Sequence, residues 1–237
     1  MSAAAPVTTH TANRTAQFYR NTIGKKVVMA VTGLILFGYV VGHLAGNLQV
    51  YAGREVMNAY GEFLHTSPGL LWGTRLLLLV SVILHIAASV SLTLQARRAR
   101  PERYVKLRPV QASYSSRTMM WSGPIIAAFV IYHLLHFTFG TVHPDFQQQM
   151  IANQAIPLPY DNVVSGFKVL PVSLAYIFAM VLLGMHLHHG LYSMFQSTGL
   201  VHPRYTPTLK QFARAAAALI VFGYISIPIA VLTGIVR

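Results

Sequence analysis

Cysteine is missing from this chain altogether. The polypeptide can therefore form no disulfide, hold no iron–sulfur cluster through thiolates and attach no c-type haem covalently, so any redox centre must use other ligands. Acids are scarce as well, with five Asp and Glu against 18 Lys and Arg. Charged residues make up only 10% of the chain and hydrophobic ones 54%, whereas about a quarter of the residues of a water-soluble domain are charged. A basic excess can suit nucleic acid, but here the bases gather at the ends of apolar runs, where they report membrane topology and an anionic lipid surface. No nucleic-acid partner is expected. The first 22 residues are polar and lack the basic start and short apolar core of a secretory signal, so no cleavable leader is expected.

Five runs reach the roughly 20 apolar residues that a helix rising about 1.5 Å per residue needs to cross about 30 Å of hydrocarbon. They cover residues 23–50, 71–95, 118–142, 167–196 and 212–236. The expected fold is an all-α membrane protein, one transmembrane domain over residues 1–237 built as a five-helix bundle. Five crossings put the termini on opposite sides. Arg14, Arg20, Lys25 and Lys26 precede the first run; Arg97, Arg98, Arg100, Arg103, Lys106, Arg108 and Arg117 lie between the second and third; Arg204, Lys210 and Arg214 follow the fourth. Together these are 14 of the 18 bases, all on one side. That side is expected to be cytoplasmic, with the amino terminus inside and the carboxyl terminus outside. The other face holds Arg54, Arg75, Lys168 and Arg237 with Glu55, Glu62, Asp145 and Asp161.

The basic loop 97–117, with Pro101 and Pro109, is expected to meet cytosol or a soluble partner. The outer segment 143–167, with Pro144, Pro157 and Pro159, is expected to form an ordered cap or short surface helix. Pro124, Pro171 and Pro228 are expected near helix ends, where a missing amide donor costs least.

Seven of the eleven histidines fall inside the apolar runs: His43, His85, His133, His136, His186, His188 and His189. An ionisable side chain at membrane depth is costly and marks function by default. Depth sorts them. His43 lies 17 residues beyond Lys26 and His133 lies 16 beyond Arg117, both about 25 Å from the inner border along a helix. His85 lies 12 residues before Arg97, and His186 lies 13 before Gly199, a helix-stop residue, both about 18 to 20 Å from that border.

Two imidazoles at one depth on two helices are what a bis-histidine haem requires, and such a six-coordinate centre passes electrons without offering oxygen an open position. Two haems stacked across the bilayer are therefore expected, the outer on His43 and His133 and the inner on His85 and His186. His136 shares a helix face with His133, and His189 with His186, so each competes as a ligand. Gly38, Gly42, Gly46, Ala87, Ala88 and Gly184 are candidate small residues for the close approach of a flat macrocycle. Lys25, Lys26 and Arg117 are candidates for neutralising its propionates.

These residues resemble those of the single-polypeptide, two-haem cytochrome b subunit of succinate dehydrogenases and fumarate reductases. His43-Leu44-Ala45-Gly46-Asn47 is similar to that family's H-L-x-x-N, and His85 stands mid-run before small residues. Gly123 stands ten residues before His133, and His186 stands four before Gly190-Leu191-Tyr192, as in the family's H-x-x-x-G-L-aromatic pattern. That pattern favours His186 over His188 and His189.

The resemblance implies a respiratory complex II membrane anchor in the bacterial cytoplasmic membrane. Its partners would be a flavoprotein subunit and an iron–sulfur subunit on the cytoplasmic face, membrane lipid and a quinone, menaquinone by preference. A higher oligomer of the whole complex is compatible with it. Alone the chain would not act on succinate; it would contribute the quinone site, for which Glu62 and His65 lie in the corresponding outer region. The competing readings are a cytochrome b subunit of another respiratory complex and a haem-free anchor or transporter.

Overall fold

A backbone surrounded by hydrocarbon has no water to satisfy its amides, so long apolar runs close their hydrogen bonds internally as helices. The computed structural model describes residues 21–100, 102, 112–142, 146–151 and 153–237. The residues Arg14, Arg20, Pro101, Arg103, Lys106, Arg108, Pro109, His143, Pro144 and Asp145 lie outside that set. Five helices are long and apolar enough to cross a membrane: α1 (Thr22–Leu48), α3 (Pro68–Arg98), α4 (Tyr114–His133), α6 (Leu170–Ser197) and α7 (Thr206–Leu232). A short α2 (Arg54–Thr66) and α5 (Pro159–Lys168) lie between them. The protein is an all-α membrane bundle.

Local chemistry sets several ends. Ser113 caps α4, its hydroxyl accepting the Ser116 amide at 3.1 Å. Gly199 closes α6 at φ 77°, and the Leu200 amide turns back to the Phe195 carbonyl at 2.9 Å. One proline departs from expectation. Pro171 does stand in a first turn and Pro228 four residues before the end of α7, but Pro124 lies in the middle of α4. In a membrane helix, neighbouring helices and local adjustment absorb the freed carbonyl, so an interior proline is tolerated.

The helix α6 is the hub of the bundle, packing against α1, α4 and α7, while α1 also carries α3 and α7. The α6–α7 seam is built from small residues. Gly184 meets the Val221 side chain so closely that an added methyl has no room, and Ala213 and Ala217 are buried opposite. Elsewhere large apolar side chains point outward: Leu76, Leu77, Leu79, Val80 and Ile83 on α3 are each more than half exposed, as expected of a surface whose solvent is lipid.

The bundle end that holds the α1–α3 and α4–α6 connections, called outer after its expected side, carries a cap of different character. A 3₁₀ turn (Gln49–Ala52) ends at Gly53, φ 104°, and reverses the chain into amphipathic α2. The segment expected to be a cap or surface helix holds α5 and also a hairpin of β1 (Gln148–Ile151) and β2 (Gln154–Pro157), antiparallel with Ile151 opposite Gln154 and Asn153 at φ 61°. Buried Asn162 knits hairpin to helix, accepting the Gln147 amide at 2.7 Å and donating to the Gln147 carbonyl at 3.2 Å. Asn58 of α2 accepts the Tyr160 amide at 2.9 Å and donates to Asp161 at 3.1 Å. Gly61 is obligatory here, since a Cβ would stand 2.7 Å from the Pro159 ring. Beneath the cap, Val50, Met57, Val163, Val164, Phe167, Tyr176, Ile227 and Val231 form the main buried cluster.

Candidate functional site

Four intramembrane histidines meet as two pairs. On the outer side, His43 of α1 faces His133 at the end of α4, ring centres 5.8 Å apart and 65° between planes. On the inner side, His85 of α3 faces His186 of α6, ring centres 6.4 Å apart. The inner pair lies beside Thr32 of α1, and His43 is eleven residues further along that helix, about 16 Å at helical rise.

Each pair joins two helices whose backbones do not pack closely against each other among the described residues: α1 with α4, and α3 with α6. Nitrogens held about 2 Å from one metal lie about 4 Å apart, and the ring centres lie a little further back on each side. Separations of 5.8 and 6.4 Å are of that order. Among the described residues, no group of three or more His, Cys, Asp or Glu side chains is placed to hold a bare metal ion. Two imidazoles without further protein ligands suit a metal whose remaining positions are filled by a macrocycle, so the residues fit haem.

Surroundings separate the ligand candidates. His136, one turn beyond His133, is 0% exposed and is enclosed by the rings of Tyr132, Phe137, Phe146 and Tyr176. Its back is against Gly166, where a Cβ would lie 3.0 Å from Nε2. A π-helical turn (Leu134–Thr138) follows α4 at this point; such turns concentrate at functional sites because they re-aim side chains. The result turns His133 toward His43 and His136 toward Tyr176, whose hydroxyl lies 2.8 Å from His136 Nδ1 and 3.3 Å from His133 Nδ1.

On α6, His188 is tied to the start of α4, its Nδ1 lying 3.0 Å from the Ser115 hydroxyl. His189 is half-buried one turn past His186. His186 itself keeps a buried Nδ1 without a hydrogen-bond partner among the described residues.

The inner pair rests on α1. Gly33 leaves room for the His85 ring, whose Cε1 would lie 3.3 Å from an added Cβ, and Thr32 Oγ1 stands 3.2 Å from His85 Nδ1. Of the small residues expected to admit a macrocycle, Gly46 is filled by the Tyr60 ring and Gly184 by Val221, whereas an added Cβ at Gly38 or Gly42 meets nothing within 4 Å. Lys25 is buried at the foot of α1, while the Arg117 guanidinium lies 5.8 Å from the Tyr114 ring centre.

Glu62 and His65 lie one turn apart on α2, within the outer cap. Glu62 accepts from Gln149 Nε2 at 3.4 Å, and His65 donates through Nδ1 to the Gly61 carbonyl at 2.8 Å. Sequence reasoning missed Thr32, Tyr176 and Tyr224, because isolated hydroxyls on other helices carry no spacing signal. Asn47 stood in the motif beside His43, and its Nδ2 lies 2.7 Å from His43 Nδ1.

The family described as succinate dehydrogenase/fumarate reductase transmembrane subunit matches residues 93–227, more than half of the chain. No curated protein and no solved structure matches.

Proposed function

We propose, from the premise that the chain belongs to the succinate dehydrogenase/fumarate reductase transmembrane subunit family, that it binds two b haems and carries electrons between the iron–sulfur subunit and a membrane quinone. Membership makes it the multi-pass membrane subunit of that complex, associated with its flavoprotein and iron–sulfur subunits. The finer reading assigns His43 and His133 to one haem and His85 and His186 to the other, in the single-polypeptide, two-haem arrangement. The observation that carries it is the meeting of four intramembrane histidines as two pairs, ring centres 5.8 and 6.4 Å apart.

Haem iron held between His43 and His133 and between His85 and His186 would supply one-electron redox chemistry. The chain's own contribution is to hold and shield. His43 and His133 are flanked by Tyr39, Phe129, Phe137 and Tyr176, which keep water from the outer pair. His85 is laid against α1 by Gly33 and Thr32. Under this reading the protein spans the bacterial cytoplasmic membrane as one transmembrane domain, amino terminus inside, and the soluble subunits dock on the basic inner face. Glu62 and His65, three residues apart on α2, are the proposed polar groups for a quinone, menaquinone by preference, at the outer end. The succinate chemistry belongs to the partners.

A dithionite-minus-oxidised spectrum with pyridine haemochrome quantitation on the purified complex tests the central claim. Two b haems per chain are expected. A complex that assembles without haem would sink it and leave a purely structural anchor.

A further inference from the structure

An imidazole ligates through one nitrogen only if its proton sits on the other, and the group that takes that proton also fixes the angle of the ring. The hydroxyl of Thr32 resolves this for His85. Its single proton goes to the α1 backbone, to the Val28 carbonyl at 2.7 Å with the Met29 carbonyl at 3.2 Å. Toward His85 Nδ1, 3.2 Å off, the same oxygen can then only accept. His85 must carry its proton on Nδ1, which leaves a lone pair on Nε2 in a ring whose centre lies 6.4 Å from that of His186.

The same construction recurs on the outer side. Tyr224 of α7 donates to the Val40 carbonyl at 2.9 Å and stands 3.2 Å from His43 Nδ1. Tyr176 of α6 lies between two imidazoles; donation to the nearer His136 Nδ1, at 2.8 Å, leaves its oxygen to accept from His133 Nδ1 at 3.3 Å. In each case the hydroxyl comes from a helix outside the histidine pair it serves. In each case a second acceptor takes the hydroxyl's own proton.

We infer that Thr32, Tyr224 and Tyr176 are positioning residues that hold the Nδ1–H of His85, His43 and His133 and so present Nε2 to the metal. The inference rests on the haem reading above and deepens it. It gives His136 a task as the terminal acceptor for Tyr176. At His43 the Asn47 amide competes, because its Nδ2 lies 2.7 Å from both the His43 carbonyl and Nδ1. A second N–H aimed at Nδ1 would demand the opposite tautomer. Were a metal held at Nε2, the Nδ1 proton would face Tyr224 and the Asn47 amide would be left to the His43 carbonyl. His186 stands apart, since its buried Nδ1 has no such hydroxyl among the described residues, so the inner pair is held from one side.

The test is a redox titration, with each haem resolved by its spectrum, of the assembled wild-type complex and of Thr32→Val, Thr32→Ser, Tyr224→Phe and Tyr176→Phe. An imidazole that loses the acceptor of its N–H donates less to iron and favours the ferric state less. An outer-shell partner that changes the preference for ferric over ferrous iron about tenfold moves the potential by about 59 mV for one electron. Thr32→Val should raise the inner potential by that order and leave the outer haem unmoved, while Thr32→Ser, which keeps the hydroxyl, stays at the wild-type value. Tyr224→Phe and Tyr176→Phe should raise the outer potential alone; loss of only the served haem counts the same way. Equal shifts in Thr32→Val and Thr32→Ser, shifts on both haems, loss of both, or no shift in any variant would overturn the inference. A haem-free wild type fails the preceding reading instead, and is seen before any variant is made.

Discussion

The two histidine pairs are chemically alike, yet they sit in unlike halves of the molecule. The outer pair adjoins the main buried cluster, where Tyr176 packs with Phe167, Phe137 and Phe129 beneath a capped and hydrogen-bonded surface. The inner pair is held by close helix approach, through Gly33 on one side and the Gly184–Val221 seam two residues from His186 on the other. A large apolar core has many contacts to lose and tolerates small errors. A seam made by missing side chains tolerates none, because every added methyl must displace a neighbour.

The largest effect that sharpens this contrast comes from the ligands. His133→Ala should remove one of two haems, halving the pyridine haemochrome yield, with the remaining spectrum that of the inner site. His186→Ala should do the converse. An undiminished yield in His133→Ala would mean that His136 leaves its aromatic enclosure to ligate, and the outer half would then be less rigid than its packing implies.

Next in size is Gly184→Leu, which wedges α6 from α7. Overpacking of this kind costs about 1–3 kcal/mol, and thermal unfolding of the complex in detergent should fall while the inner haem bleaches first. Outer-haem loss first would break the division into halves. Asn58→Ala should cost about 1 kcal/mol through two lost hydrogen bonds in the cap, raising protease sensitivity of residues 146–168 with both haem spectra retained. Smallest is Arg54→Gln. The Arg54–Asp161 ion pair is 3.2 Å long, but the arginine side chain is 63% exposed, so its loss should change stability by about 0–1 kcal/mol, fading further with salt.

Much of this was legible along the chain because lipid imposes one-dimensional rules. A run such as residues 71–95 must become a helix whatever its neighbours do. Equal depth likewise suggested the partnering of His43 with His133 and of His85 with His186. Less visible were α2 and the β1–β2 hairpin, which sit where water competes for the backbone and alternatives are close in energy. The α2 pattern, with Met57 and Gly61 buried among exposed neighbours, was a weak helical signal in a short polar segment. The mid-helix position of Pro124 in α4 was not legible, because inside a membrane bundle neighbouring helices satisfy the carbonyl that a proline frees.

The sequence by itself determined five helices long and apolar enough to cross a membrane and the family to which the chain belongs, since hydropathy and motif spacing are properties of the chain taken in order. The tertiary structure alone decided that His133 faces His43 while His136 turns to Tyr176, and that hydroxyls from Thr32, Tyr176 and Tyr224 meet Nδ1 atoms. Tyr224 stands 181 residues from His43. Nothing in local order links them until α7 packs against α1, because a hydrogen bond depends on where atoms lie in space and is indifferent to how far apart they lie along the chain.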